Sequence, residues 1–422
     1  MNKTTNRDVP KFRARWLRRA LRALVILAVL IAVPLVLELT RWNSLPEGPL
    51  PRVVSGPARD SRAGANATGV VFAWLDDRPI TGVTVCVALE GEIRWCTAAG
   101  YADLAARRPL EATTTMRIGS VSKTVSSILL ARLDEQGLVE IDRPIGEVMG
   151  SGLPPHLSAI TLRQLASHTG GIRHYNWRFK LPPHETYSRR RYTSVDESLE
   201  QFVSDELVSD PGTGFLYSTH GYTLLGAVLE IATGRTFGAL LEQEIVRPRG
   251  LSSTALENSP VPEQNLARPY EVVGHRYRDA LQVDNSRAWP GGGILSSARD
   301  LARLASGLPQ GQTVRVDTLE RYLEPQTLPD GSDNPQRYAL GWRIAQTSEF
   351  LGGRDSYRVA HHGGVSSGGS TFLALFPDYS VSVAVITNTR TGSGALIDLA
   401  FDVAEPFMAD LVDGEASTGI SR

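Results

Sequence analysis

Met116-Arg117-Ile118-Gly119-Ser120-Val121-Ser122-Lys123 is the stretch on which the reading of this 422-residue chain turns. From Val121 onward, apolar residues recur at Val125, Ile128, Leu129 and Leu133, the period of an amphipathic helix, and Gly137 supplies a C-terminal stop. Ser120 therefore stands at a helix start with Lys123 one turn on. That spacing puts a hydroxyl and an ammonium on one face, within reach of each other, as a nucleophile and its base require. A surface lysine beside an N-cap serine has the same spacing. Ser-x-x-Lys also arises about once or twice by chance in a chain of this length, so the context must decide.

The lysine census is the first such context. The chain carries only four lysines, Lys3, Lys11, Lys123 and Lys180, against forty arginines. A lysine kept where arginine is the default cation has a use that arginine cannot serve. Burial can lower its pKa until the amine accepts a proton, whereas a guanidinium stays charged.

A serine nucleophile also needs a proton relay and donors for a developing oxyanion. Tyr217, in Phe215-Leu216-Tyr217-Ser218-Thr219, precedes a helix that begins near His220 and is placed to project its phenol into a cleft. Tyr222 is the competing phenol, and either ring serves equally well as a core anchor. His361-His362-Gly363-Gly364 closes a strand and opens a glycine-rich turn, a pattern suited to an edge whose backbone approaches a substrate. Gly364 is the candidate second oxyanion donor. His168, in Ser167-His168-Thr169-Gly170-Gly171, reads as a loop anchor. Histidine, Asp and Glu are nowhere at HExxH-like or HxHxD-like spacing, so neither a metal nor another cofactor is expected.

Composition fits a folded, exported body. With 42% hydrophobic and 21% charged residues the chain can bury a substantial core. Residues 1–22 hold eight basic side chains and one acidic, which leaves thirty-six basic against forty-four acidic in the rest. No basic stripe with interleaved aromatics follows, which argues against a nucleic-acid partner. Arg13, Arg15, Arg18, Arg19 and Arg22 precede the uncharged run Ala23 to Leu37, the layout of an export signal. Glu38-Leu39-Thr40-Arg41-Trp42 offers no small-x-small cleavage site, so the expectation is an uncleaved anchor over residues 1–40, with the body outside the cytoplasm, in a periplasm or its equivalent.

Residues 41–66 are rich in Pro, Gly, Ser and Arg and read as a linker. A short amphipathic helix is expected near Val70 to Leu75. Thr84 to Ala88 and Ile93 to Ala98 read as an antiparallel hairpin turning at Glu90-Gly91-Glu92. A three-residue loop centred on Gly91 sets Cys86 opposite Cys96 and permits a disulfide, whereas a two-residue loop shifts the register and forbids it. Helical patterns follow at 160–167, 195–207, 220–232, 237–246 and 298–306. Strands return at Tyr338 to Ile344, Tyr357 to Ala360, Ser370 to Phe376 and Val381 to Thr389, and a last helix spans about Ser393 to Leu411. Strands at both ends with helices between them imply one antiparallel sheet and an inserted helical lobe. The body is accordingly 67–415, with a sheet lobe at 67–120 and 291–415 and a helical lobe at 121–290.

On Gly100-Tyr101-Ala102-Asp103, the Met116 to Lys123 stretch, Leu165 through Tyr175, and Tyr217-Ser218-Thr219-His220-Gly221-Tyr222-Thr223-Leu224-Leu225, the chain resembles the serine beta-lactamase and penicillin-binding superfamily across most of residues 68–411. Its look-alikes within it are bacterial relatives of the mitochondrial serine beta-lactamase-like proteins. The resemblance implies an α+β fold, a five-stranded antiparallel sheet flanked by helices with an inserted, mostly helical lobe. It implies Ser120 as acyl acceptor, Lys123 as its activator, Tyr217 as proton shuttle, and His361-His362-Gly363 in the place of a Lys-Thr-Gly motif. The backbone amides of Ser120 and Gly364 would form the oxyanion hole. His361, Gly363, Gly364 and Thr219 are thus the expected substrate-binding residues.

Two departures bear on substrate. Thr219 stands where penicillin-recognising members usually place Asn, and the histidine pair replaces the motif lysine, which removes a permanent cation for a substrate carboxylate. A peptidase, esterase or amidase acting through an acyl-enzyme on a small-molecule or peptide substrate is expected over a true beta-lactamase. The competing reading is a membrane-anchored scaffold of the same fold that self-assembles as a homo-oligomer or filament.

Overall fold

The computed structural model describes residues 21–30, 32, 40–175, 185–347, 356–391 and 394–418. Its centre is an antiparallel sheet built from β1 (Arg52–Ser55), β2 (Gly82–Leu89), β3 (Glu92–Asp103), β4 (Arg108–Pro109), β5 (Arg343–Thr347), β6 (Tyr357–Ser366), β7 (Gly369–Phe376) and β8 (Val381–Thr387). The strand order is β5-β6-β7-β8-β2-β3-β1, with β4 paired to β3. The sheet thus has eight strands where five were expected. β1 and β4 are short additions, too brief to show strand periodicity, and β5 takes up only the end of the strand expected over Tyr338 to Ile344.

Alternation assigns the two faces. In β2, Val83, Val85 and Val87 join one apolar cluster while Cys86 and Ala88 join the other. Both faces are covered, so the strand reads as a continuous apolar run. Helix α1 (Arg62–Asp76) packs Ala63, Ala67, Val71 and Trp74 against the first face, and its N-cap Ser61 accepts a hydrogen bond from the Gly64 amide at 3.0 Å. Helix α5 (Gly394–Thr418) lies beside it, burying Leu396, Leu399, Val403 and Met408. Each fully buried aliphatic side chain of this size contributes about 1.5–3 kcal/mol.

The second face holds α2 (Ser122–Glu135), α3 (Thr219–Thr233) and α4 (Ala298–Ser306). Eleven of the fourteen residues of α2 are buried, so it is a central helix rather than an amphipathic surface one.

Several boundaries differ from the sequence reading. The stretch 41–66 is not a free linker, because β1 and the start of α1 belong to the folded body. Tyr338 does not begin a strand: Asn334 captures its backbone from both sides, accepting from the Tyr338 amide at 2.9 Å and donating to its carbonyl at 2.8 Å. Such local side-chain bonds compete with a ladder. The expected helix over 195–207 shrinks to Val195–Ser198 and a 3₁₀ turn at Leu199–Gln201. Of the expected anchor, Leu21–Leu30 is a short apolar helix, residues 31 and 33–39 lie outside the described residues, and no single described helix is long and apolar enough to cross a membrane.

The hairpin resolves the cysteine question by a route that loop counting misses. The loop has two residues, Glu90 and Gly91, both at positive φ, between the paired Leu89 and Glu92. A register shift at Val87/Ala88 then restores Cys86 opposite Cys96, and the two form a disulfide with an S–S distance of 2.06 Å. One extra residue on one strand is what a β-bulge supplies.

Candidate active site

Ser120 lies in a 3₁₀ turn, Gly119–Val121, that leads into α2. Gly119 holds φ at +51°, and a Cβ there would fall 2.8 Å from the Val365 nitrogen and 2.7 Å from its oxygen. Only glycine lets the nucleophile turn approach the β6 backbone this closely.

Lys123 is completely buried one turn further on. Its Nζ lies 3.3 Å from Ser120 Oγ, 3.0 Å from Thr219 Oγ1 and 2.7 Å from the Gly291 carbonyl oxygen. Burial, and then the positive charge of Arg343, push its pKa well below the usual lysine value. A neutral amine has two protons to give. Thr219 Oγ1 and the Gly291 carbonyl take them, which leaves the lone pair for the Ser120 hydroxyl.

The α3 N-terminus positions the phenol. Ser218 caps α3 by accepting from the Gly221 amide at 3.0 Å, and its own hydroxyl donates to the Arg173 carbonyl at 2.7 Å. Tyr217, immediately before the cap, has its ring centre 4.9 Å from Lys123 Nζ and 5.4 Å from the Arg343 guanidinium carbon. Burial raises its pKa to about 12. Tyr222 also lies near Lys123, at 5.6 Å, but its hydroxyl donates to the Ala166 carbonyl at 2.8 Å. Tyr222 is therefore the anchor and Tyr217 the phenol facing the nucleophile. His168 accepts from the Ser218 amide at 3.2 Å with φ at +64°, tying its loop to the same cap.

The third motif is shifted by one residue from the sequence reading. Tyr357 and Val359 lie in the cluster on the α5 face and Ala360 in the other, so alternation sends His361 away from Ser120 and His362 toward it. The His361 ring sits 5.5 Å from that of Phe372, and burial with Arg343 lowers its pKa to about 4. His362 is fully buried, 6.2 Å from the Tyr217 ring. His361, expected to contact substrate, is thus on the face away from Ser120, and His362 is on the nearer face.

The same alternation corrects the oxyanion donor. Ser366 and Gly369 close a two-residue turn at the β6–β7 hairpin. The closing pair of such a turn exchanges backbone hydrogen bonds, so Ser366, Gly364 and His362 bond across to β7, while Gly363 and Val365 point to the open side. Beyond the Arg343–His361 pair, β5 no longer covers β6, so that side is free. The amides of Ser120 and Val365, rather than Gly364, therefore face the cleft. Gly364 is needed for another reason: a Cβ there would fall on the Ile118 carbonyl oxygen and 3.1 Å from the Ser120 nitrogen. Gly363 contributes its carbonyl, which accepts from His362 Nδ1 at 2.7 Å.

Two residues escaped the sequence reading. Arg343, first in β5, places its guanidinium carbon 5.4 Å from the Tyr217 ring centre and 5.2 Å from that of Tyr338. One arginine among forty carries no signal of this. Tyr338 donates to His362 Nε2 at 2.9 Å, and it was read as a strand residue. Among the described residues no cluster of His, Cys, Asp and Glu is arranged to hold a metal ion.

An antiparallel sheet with a buried Ser-x-x-Lys turn at its edge, faced by a tyrosine from a helical lobe, defines the serine beta-lactamase and penicillin-binding class. The chain matches the Beta-lactamase family over residues 67–405, and it belongs to that family. It is 27% identical to the human mitochondrial serine beta-lactamase-like protein LACTB, over 80% of this chain and 76% of that protein. It is 25% identical to esterase EstB of Burkholderia gladioli, over 75% and 88% of the two chains. Its fold is like that of EstCE1, described as a hydrolase with promiscuous acyltransferase activity, with a TM-score of 0.67 and 22% identity over 81% and 98% of the chains.

Proposed function

We propose that the chain is a serine hydrolase that forms an acyl-enzyme on peptide, amide or ester substrates. The observation that carries this is Lys123, sealed beneath Ser120 at 3.3 Å with both amine protons engaged and its basicity lowered by burial and by Arg343. Lys123 takes the Ser120 proton as Oγ bonds to the substrate carbonyl carbon. The oxyanion sits between the Ser120 and Val365 amides. Tyr217, still protonated at neutral pH, hands its proton to the leaving oxygen or nitrogen as that bond breaks, and recovers the one that Lys123 took from Ser120. Water then attacks the acyl ester by the reverse proton path, returning Ser120 free.

Arg343 returns a permanent cation to a site that lacks the motif lysine, which makes acyl compounds bearing an anionic group acceptable substrates. The test treats the full chain in detergent with a fluorophosphonate and, separately, a penicillin, followed by intact mass and peptide mapping. A single adduct on Ser120, lost in Lys123→Ala, is expected. Folded protein with no adduct would support the scaffold reading. The membrane anchor and external body rest on the arginines preceding the apolar run. A carboxyl-terminal tag is expected to be cleaved by protease added to spheroplasts with an intact inner membrane, and protection of the tag there would reverse the orientation.

A further inference from the structure

His362 has both ring nitrogens committed. Nδ1 lies 2.7 Å from the Gly363 carbonyl oxygen, and Nε2 lies 2.9 Å from the Tyr338 hydroxyl. A carbonyl can only accept, so the ring proton must sit on Nδ1, and the bare Nε2 must accept the phenol proton. The ring is fully buried, as is Tyr338, and the Asn334 bonds hold the Tyr338 backbone out of the sheet so that its ring reaches the site. The Tyr222 hydroxyl gives its proton to the Ala166 carbonyl at 2.8 Å and so supplies none to Tyr338.

We infer that Tyr338 and His362 form a positioning pair: the Gly363 carbonyl fixes His362 as the Nδ1–H tautomer, Tyr338 holds the ring in place at Nε2, and the Nδ1–H braces the Gly363 carbonyl so that the β6 edge presents the Val365 amide to the oxyanion. The inference rests on the proposed serine-hydrolase reading. Its consequence follows from the strand geometry. Gly363 and Val365 are the two residues whose backbone groups face the open side, and the brace occupies the carbonyl of the first. The brace takes up one lone pair of the Gly363 carbonyl, so the open edge offers an acyl group the Gly363 N–H together with the Val365 N–H and C=O. In the other tautomer a lone pair on Nδ1 faces the carbonyl at 2.7 Å. The two repel, and the edge moves away from Ser120.

The test combines a spectroscopic and a kinetic readout on the full chain in detergent. Nitrogen-15 NMR of the histidine side chains is expected to show a non-exchanging neutral Nδ1–H tautomer for His362, assigned by its loss in His362→Asn. Tyr338→Phe is expected to shift the Nε2 resonance, which loses its hydrogen bond, while the Nδ1–H persists. Kinetically, Tyr338→Phe and His362→Gln are expected to slow fluorophosphonate labelling of Ser120 by roughly 10- to 100-fold, with KM for a short ester changed far less, because a displacement of about 1 Å costs on that order. His362→Asn, whose amide nitrogen replaces Nδ1, is expected to retain labelling within about 5-fold, which a merely space-filling role would not select. A wild-type Nε2–H tautomer, or Asn and Gln variants that behave alike, overturns the inference. Equal labelling rates in all variants also overturn it while leaving the nucleophile intact, whereas a wild-type chain that never labels at Ser120 removes the underlying reading instead.

Discussion

Arg343→Met isolates the electrostatic term in Lys123 activation. The Arg343 guanidinium carbon and Lys123 Nζ lie 5.4 and 4.9 Å from the centre of the same Tyr217 ring, so the charges are separated by at most about 10 Å. At an effective dielectric constant of about 20, two unit positive charges at that distance repel by about 1.7 kcal/mol, or roughly 1.2 pKa units. The sign is fixed by which form suffers. Arg343 disfavours protonated Lys123, so removing it raises the Lys123 pKa. The neutral amine is then the majority form only at a higher pH. The acid limb of the pH profile for Ser120 labelling is expected to move up by about one unit, with the rate one unit below the original midpoint falling roughly tenfold. The alkaline plateau reports separately on Tyr217, which loses the Arg343 charge beside its ring in the same variant. The assay is fluorophosphonate labelling from pH 5 to 10, followed by mass spectrometry at fixed ionic strength. A limb that stays within 0.3 units, or moves to lower pH, would refute the assignment of Arg343 as the charge that tunes Lys123.

Four further outcomes follow from the geometry. Lys123→Ala is expected to abolish labelling, and Tyr217→Phe to reduce hydrolysis by roughly 10²- to 10⁴-fold, the span of general acid–base catalysis, both read against circular dichroism to confirm folding. Gly364→Ala places a methyl on the Ile118 carbonyl and against the Ser120 nitrogen, and is expected to cost about 1–3 kcal/mol in denaturant unfolding together with loss of labelling. Replacing Cys86 and Cys96 by alanine opens a loop of sequence separation 10 and is expected to destabilise the chain by about 2–3 kcal/mol, whereas a reducing agent that leaves the melting temperature unchanged would show that the bridge contributes nothing.

Much of the site was legible because its motifs are local. Ser120 and Lys123 are one helical turn apart, Tyr217 precedes a capping serine by one residue, and Thr219 follows it by one. Short-range geometry of that kind is set by helix period and cap chemistry, which sequence displays directly. Tyr217 and Tyr222 were indistinguishable at that level. They separate only because the Ala166 carbonyl, from another segment, claims the Tyr222 hydroxyl.

The amino-acid sequence by itself determined the class of fold, through strands at both ends of a helical block, and set Ser120 one helical turn from Lys123, whereas the choice between Tyr217 and Tyr222 waited for the Ala166 carbonyl. Tertiary structure alone decided which histidine faces the nucleophile and which amide completes the oxyanion hole. Both depend on strand register, where a shift of one residue exchanges the faces of the sheet and the directions of every backbone group. It also decided the disulfide, through a bulge that cancels the two-residue turn, and the roles of Arg343 and Tyr338. Those two act from segments more than 200 residues after Ser120, and side-chain reach across such a distance in sequence exists only once the sheet has closed.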